Sequence, residues 1–124
     1  MYEDQISLAF LDRRPVFLGH CLLIPRTHYE TFEDLPDEII GPLFTDCQRI
    51  TKAVRKALNA DGTFLGINNR ISQSVHHMHI HIVPRRTKDG LRGFFWPRQK
   101  YESDRQELQI QEAIRRELAS ETTN

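Results

Sequence analysis

Three histidines recur at alternate positions in the second half of the chain, as His77, His79 and His81, with Met78 and Ile80 between them. Successive side chains of a β-strand point to opposite faces, so the three imidazoles are predicted to share one face and the apolar residues the other. Neighbouring rings on that face would stand about 6.6–7 Å apart. This spacing predicts a cluster of imidazoles that opens towards a cleft.

The chemistry of such a cluster follows from its charge. At that separation two imidazolium ions repel by roughly 2 kcal/mol at an effective dielectric of ~20, so at most one ring is comfortably charged near neutral pH. The arrangement therefore offers a neutral, nucleophilic imidazole beside a neighbour that can carry a proton. It suits attack on phosphorus, because a phosphoryl- or nucleotidyl-histidine divides one difficult displacement into two steps.

Two other interpretations compete with nucleophilic catalysis. A histidine in a strand is often structural, and His76, which falls on the aliphatic face of the predicted strand, is assigned that role. A His-x-His pair can also bind zinc with a third ligand, but the outer two imidazoles, ~13 Å apart, cannot share one ion. His20 and His28 are the remaining histidines and the chain has no Cys-x-x-Cys, so no metal or other cofactor is expected.

Four short apolar runs and two helical patterns must position this cluster. Strands are predicted over Ile6–Asp12, Phe17–Ile24, Phe64–Asn68 and Val75–Val83. Asp34 is predicted to cap a long helix, whose apolar stripe consists of Ile39, Leu43, Cys47, Ile50, Val54 and Leu58. A polar helix is predicted from about Ser103 to Leu118. This order of elements favours an α+β domain with a mainly antiparallel sheet.

Composition limits the remaining classes. The length of 124 residues predicts one domain, with a core over 1–86 and an aromatic segment and C-terminal helix over 87–124. Basic and acidic residues balance at 17 each, so neither a nucleic acid nor a membrane is an expected partner. No apolar run approaches the ~20 residues of a membrane helix, and no signal peptide is expected. Cys21 and Cys47 lie in apolar runs, which predicts buried, reduced thiols and a cytoplasmic protein.

The segment Gln73–Arg85 resembles the signature of the histidine-triad (HIT) family, in which three histidines alternate with apolar residues after Gln-Ser/Thr-Val. Upstream, Tyr2–Asp4, Ala9–Asp12, Pro15 and Gly19–Arg26 follow the order of the family, so the resemblance covers nearly all of residues 2–86. It implies a HIT-like fold, with an antiparallel sheet of about five strands and the long helix against one face. It also implies a homodimer.

The resemblance implies roles for individual residues. His79 would attack the α-phosphorus of a nucleotide, and His77 would orient that ring through its backbone carbonyl. His81 and His20 would contact the phosphate and help to move the leaving-group proton. The other implied nucleotide contacts are Ser74 at the phosphate, Gln73 at the scissile or bridging position, Asp12 at the ribose hydroxyls, Asn68 (or else Asn69) at phosphate or ribose, and Phe10 and Leu22 at the base.

The expected activity is hydrolysis or transfer at the α-phosphate of a purine nucleotide conjugate, of the phosphoramidate or dinucleoside polyphosphate type. Two alternatives are a protein that binds or senses AMP with little turnover and a metal-dependent His-x-His hydrolase. The loop Asn69–Ser72 lacks the glycines of many family members, so a phosphate cradle would need a different backbone path. Gly90–Tyr101, with three consecutive aromatic residues, is expected to shape the leaving-group side of the site.

Overall fold

The computed structural model describes residues 1–91 and 98–122. The chain divides into two compact units, Met1–Asp89 and Gly90–Asn124. This division falls close to the end of the core that the sequence predicts at residue 86. Each unit is described separately, and the single domain expected from length stays a prediction.

The first unit contains one sheet of five strands, in the order β1-β2-β3-β5-β4, with every neighbouring pair antiparallel. The strands are β1 (Tyr2–Glu3), β2 (Ser7–Leu11), β3 (Cys21–Pro25), β4 (Gly62–Gly66) and β5 (Ile80–Arg85). The predicted α+β class and the antiparallel sheet of about five strands are therefore confirmed.

One long helix, α1 (Asp37–Ala57), supplies the second layer of the core. Its predicted stripe is confirmed, since Leu43, Cys47, Ile50 and Val54 are buried and cluster with sheet residues such as Leu23. The predicted cap is wrong. Pro36 precedes the helix, while Asp34 accepts from the backbone N–H and hydroxyl of Thr31 and so closes a short 3₁₀-helix, Phe32–Asp34.

Three strands are shorter than the sequence predicts and β4 begins two residues earlier, and the difference at β5 matters for the histidines. Strand β5 begins only at Ile80, so His77 and His79 precede its ladder, and the chain bends over residues 74–77. The ladder ends there because the backbone N–H of Met78 donates to the carbonyl of Tyr29 at 2.7 Å instead of to a neighbouring strand. Strand β4 ends at Gly66, which leaves Asn68 beyond the sheet.

Strand β3 begins four positions later than predicted, because Phe17–His20 forms a turn. The N–H of His20 donates to the carbonyl of Phe17 at 3.0 Å, and Gly19 has a φ of +98°. The N–H of Asp12 donates to the carbonyl of His20 at 2.9 Å, which closes a loop between β2 and β3. This loop brings a polar segment to the end of the β2–β3 hairpin.

The second unit contains helix α2 (Asp104–Thr122). Its start agrees with the sequence, since the hydroxyl of Ser103 accepts from the N–H of Gln106 at 3.1 Å, as an N-cap residue does. The helix runs four residues beyond the predicted end at Leu118. None of the helices in the described ranges combines the length and the apolar character that crossing a membrane requires.

Candidate active site

The histidine face opens into a pocket of about 290 Å³ between the β2–β3 hairpin and the segment leading into β5. Its volume is near the lower end of the roughly 300–1,000 Å³ usual for small-ligand sites. Imidazoles, Asp12 and Ser74 supply its polar groups, and aliphatic side chains and Phe10 form the rest of its wall. The lining residues are Phe10, Asp12, Leu22, Ile24, Ser74, Val75, His77, His79 and His81.

His79 is held in one orientation by the backbone before β5. Its side chain is buried, with 9% of the residue exposed, and its Nδ1 lies 2.7 Å from the carbonyl oxygen of His77. A carbonyl oxygen only accepts hydrogen bonds, so Nδ1 must carry the proton. In the neutral ring the lone pair is then on Nε2. The structure thus agrees with the orienting role expected of the His77 carbonyl.

The ring of His77 is itself fixed on both sides. Its Nε2 lies 3.1 Å from the carbonyl oxygen of Pro25, and its ring centroid lies 4.9 Å from that of His28. His28 was not predicted to approach the cluster. The only available signal was its residue type, because its position depends on the bend that follows β3.

His81 and His20 form a contact that the sequence could not specify. Nδ1 of His81 lies 3.0 Å from Nε2 of His20, and the ring of His81 meets that of His79 edge to face, with centroids 5.0 Å apart. Burial lowers the pKa of His20, and the nearby Asp12 carboxylate partly opposes this effect. Burial also lowers the pKa of His81, and the charges that His79 and His20 can carry lower it further, against Asp12.

Asp12 lies at the start of the loop that follows β2, and its two carboxylate oxygens have different surroundings. Its Oδ1 accepts from the N–H of Arg14 at 2.9 Å, the hydrogen bond of an Asx-turn. Its Oδ2 lies 3.7 Å from Nε2 of His20 and borders the pocket. One oxygen therefore stabilises the turn and the other can accept from a ligand hydroxyl.

Other predicted contacts divide into two groups. Phe10, Leu22 and Ser74 line the pocket. Gln73 and Asn68 are not among its lining residues. The Gln73 side chain is buried and committed to its own loop, where Oε1 accepts from the N–H of Arg70 at 2.8 Å and Nε2 donates to the carbonyl of Glu30 at 2.6 Å.

Asn68 and Asn69 are both exposed, and neither is among the residues that line the pocket. The side-chain oxygen of Asn69 accepts from the N–H of Phe32 at 2.9 Å, which is a structural contact. The choice between them as a nucleotide contact stays a prediction. His76 does not lie on an aliphatic face, as the strand pattern predicted, because the strand does not include it; its side chain is 77% exposed and its Nδ1 lies 3.7 Å from Glu30.

The loop before Gln73 contains two residues in a backbone conformation that is unusual for residues other than glycine. Arg70 and Ser72 have φ values of +69° and +60°, a left-handed conformation that glycine normally adopts. Such conformations cost about 1–3 kcal/mol each and persist only where surrounding contacts maintain them. The hydrogen bond from the N–H of Arg70 to Gln73 is one of these contacts.

Among the residues that the structure describes, one group of side chains could hold a metal ion. Donor atoms of Asp12, His20 and His81 lie within 4.8 Å of one another. The β2–β3 loop carries Asp12 and His20 to His81, so an acidic side chain lies beside the triad. A zinc site of the ordinary tetrahedral type would use three such ligands and leave a fourth position open.

The aromatic segment expected at the leaving-group side lies largely outside the described residues. Of Gly90–Tyr101, residues 92–97 are not described, and these include all three consecutive aromatic positions. The proposed role of the segment stays a prediction.

Comparison with known proteins gives consistent matches. Residues 1–88 match the model of the HIT domain family. An adenylylsulfatase from Arabidopsis thaliana is 34% identical over 97% of this chain, which spans 62% of that protein. An adenosine 5'-monophosphoramidase from Saccharomyces cerevisiae is 36% identical over 85% of this chain and 65% of its own length.

A solved structure supports the same assignment. The crystal structure of a HIT family member from Bacillus subtilis is 34% identical, covers 94% of this chain and 84% of its own, and superposes with a TM-score of 0.83. The predicted HIT-like fold is therefore confirmed. Together with the alternating histidines and the pocket into which they open, these matches show that the chain belongs to the HIT domain family.

Proposed function

We propose that the protein is a nucleotidyl hydrolase or transferase that acts at the α-phosphate of a purine nucleotide conjugate through a covalent adduct on His79. The observation that carries this proposal is the hydrogen bond between Nδ1 of His79 and the carbonyl of His77, 2.7 Å long. It fixes the ring, leaves the Nε2 lone pair free for attack, and stabilises the positive charge that develops when Nε2 forms a bond.

The reaction has two displacements at phosphorus. The Nε2 lone pair of His79 forms a bond to the α-phosphorus while the bond from phosphorus to the leaving group breaks, and the leaving group takes the bonding pair. Water then attacks the same phosphorus, the N–P bond breaks, and its electron pair returns to Nε2. The products are the nucleoside monophosphate and the free leaving group, and the proton lost by water passes to solvent.

The rest of the pocket offers contacts for a nucleotide. Phe10 and Leu22 supply an apolar surface for a base, and the second oxygen of Asp12 can accept from the ribose hydroxyls. Ser74 lines the pocket beside the triad, where its hydroxyl or N–H can donate to phosphate oxygens. We place no substrate contact on Gln73, because its side-chain amide is already bonded to the backbone of Arg70 and Glu30.

The names of relatives support this class of substrate. An adenylylsulfatase and an adenosine 5'-monophosphoramidase share the adenylyl group and differ in the leaving group, sulfate or amine. Adenosine is therefore the nucleoside that we propose. The leaving group is to be determined by experiment, and the homodimer and the cytoplasmic location remain predictions.

The test is a substrate panel of an adenosine phosphoramidate, a dinucleoside polyphosphate and adenylylsulfate, each labelled at the α-phosphorus. Wild-type protein should release labelled AMP from at least one of them, and samples denatured at alkaline pH at early times, where a nucleotidyl-histidine is stable, should contain label bound covalently to His79. His79→Ala should abolish turnover, whereas His79→Gln should still bind AMP. His76→Ala is the matched control, because that imidazole is exposed and outside the pocket.

Two results would overturn the proposal. One is turnover by His79→Ala above about a tenth of the wild-type rate, since loss of a covalent nucleophile typically costs several orders of magnitude. The other is AMP binding by the wild type with no turnover of any substrate in the panel, which would favour a binding or sensing protein.

A further inference from the structure

The imidazole of His20 has a hydrogen-bond partner on each side. Its Nδ1 accepts from the backbone N–H of Val16 at 3.1 Å, and its Nε2 lies 3.0 Å from Nδ1 of His81. The side chain of Val16 is 54% exposed, so its contact with the cluster is made by the backbone. This contact was not apparent from the sequence.

The two contacts determine which nitrogens carry protons. A backbone amide only donates, so Nδ1 of His20 must be unprotonated, and the proton of the neutral ring lies on Nε2. That Nε2–H points at Nδ1 of His81, which must then accept. In neutral His81 the remaining proton lies on Nε2. One amide therefore sets the tautomers of two rings.

We infer that the backbone N–H of Val16 is a positioning group that fixes the tautomers of His20 and His81, so that the neutral ring of His81 serves the reaction as a hydrogen-bond donor through Nε2. This inference rests on the proposed function for its catalytic meaning. A charged His81 would need a proton on Nδ1, facing the N–H of His20. His20 cannot turn into an acceptor, because a proton on its Nδ1 would face the amide of Val16.

Most of the groups around His81 also disfavour a positive charge on its ring, and Asp12 is the exception. Burial and the adjacent rings of His79 and His20 disfavour a positive charge on His81, and Asp12 alone among the neighbouring charges favours one. Asp12 is close enough to attract the Nε2–H of His20, at 3.7 Å, which also keeps that proton in place. A neutral imidazole held as a donor by its surroundings is a known catalytic device.

The same tautomer affects the candidate metal group. To bind a metal, Nε2 of His20 would have to present a lone pair, while Nδ1 still accepts from Val16. Both nitrogens of a neutral imidazole cannot be unprotonated at once. Asp12, His20 and His81 can therefore act together as ligands only if the bond to Val16 breaks.

The loop geometry explains how a backbone amide reaches this position. The N–H of His20 and the carbonyl of Phe17 close a turn, and this turn places the N–H of Val16 within hydrogen-bond distance of Nδ1 of His20. Gly19 supplies the positive φ of this turn. The position of the Val16 amide therefore depends on the backbone conformation of this loop more than on any of its side chains.

The inference is tested by ¹⁵N NMR of the imidazole rings of the full-length, ligand-free protein across a pH titration. In the wild type, neutral His20 and neutral His81 should each carry the proton on Nε2, whereas neutral His79 should carry it on Nδ1. Val16→Pro removes the N–H. His20 should then populate both tautomers, and so should His81. Val16→Ala keeps the amide and should retain the wild-type tautomers.

Each outcome decides the question. A wild-type neutral His20 or neutral His81 with its proton on Nδ1 would overturn the inference without any variant, even if Val16→Pro fails to fold. Unchanged tautomers in a folded Val16→Pro protein would also overturn it. These spectra need no substrate, so failure of the proposed reaction would leave them intact and the two hypotheses remain separable.

Discussion

Gly19→Ala should disturb the stability of the fold and the position of the catalytic loop together. Gly19 has a φ of +98°, and a methyl group added there would lie 1.9 Å from Cδ1 of Leu58, which packs on the core from the end of α1. A residue with a side chain in this conformation costs about 1–3 kcal/mol. Moving the flexible end of Leu58 away from the methyl group adds roughly 0.5–1.5 kcal/mol. We therefore expect a loss of about 1.5–4.5 kcal/mol in the free energy of unfolding.

Urea unfolding monitored by circular dichroism measures this loss, and a double-mutant cycle separates its two parts. In a Leu58→Ala background the steric part should disappear, so the added cost of Gly19→Ala should fall to the backbone part alone. Gly41→Ala is the matched control. Gly41 lies inside α1 with nothing within 4 Å of an added methyl group, so alanine there should be neutral or stabilise by about 0.5–1 kcal/mol.

Gly19→Ala should also lower the catalytic rate, because His20 directly follows Gly19 in the chain. His20 depends on the same turn for its bond to Val16, so kcat of Gly19→Ala should fall even at temperatures where the variant is fully folded. A Gly19→Ala protein with unfolding free energy and turnover both equal to wild type would refute this reasoning. Loss of stability that persists in full in the Leu58→Ala background would refute the steric part.

Three further predictions concern ribose, metal and pH. Asp12→Ala should weaken AMP about tenfold or more, as a charged acceptor worth roughly 1.5–3 kcal/mol would, and should weaken a deoxyribose analogue less; Asp12→Asn, which keeps the acceptor for the Arg14 amide, controls for the turn, and equal losses for both ligands would exclude the ribose role. Activity should survive dialysis against a strong chelator, and a loss restored by added zinc would instead indicate a metal bound by Asp12, His20 and His81. Burial and the adjacent Asp4 raise the pKa of Asp46, so the native state favours its protonated form, and the stability this form contributes is lost as the pH rises above the ordinary carboxyl range. Asp46→Asn, whose amide mimics the protonated acid, should therefore gain stability relative to wild type as the pH rises from the ordinary carboxyl pKa through the raised pKa of Asp46, as measured by thermal unfolding; a gain that does not grow with pH would contradict this.

The elements of the fold were largely determined by local pattern. The apolar stripe of α1 follows from the periodicity of a helix and was predicted from the sequence, and β2 and β3 were predicted from their short apolar runs. The sequence also predicted that the alternating histidines share one face. His77, His79 and His81 do line one pocket, although only His81 lies in a strand and the chain bends at His77.

The first and last residues of the strands could not be predicted from local pattern in the same way. A strand ends where its partner stops offering hydrogen bonds, and this depends on tertiary contacts. The carbonyl of Tyr29 takes the N–H of Met78 and shortens β5 from the start, a competition between residues 49 positions apart that no local pattern records. A tertiary contact also decided the role of Gln73. Its residue type suited a contact with a ligand, but its side-chain amide donates to the backbone carbonyl of Glu30 instead.

The sequence by itself thus limited the chemistry, because three imidazoles on one face favour either nucleophilic attack or metal binding. Only the tertiary structure decided the protonation pattern within the cluster. Which nitrogen of an imidazole carries the proton depends on the partner of the other nitrogen, and here those partners are the carbonyl of His77 and the amide of Val16. Backbone groups are the same at every position of a sequence, so their direction becomes specific only when the chain has folded.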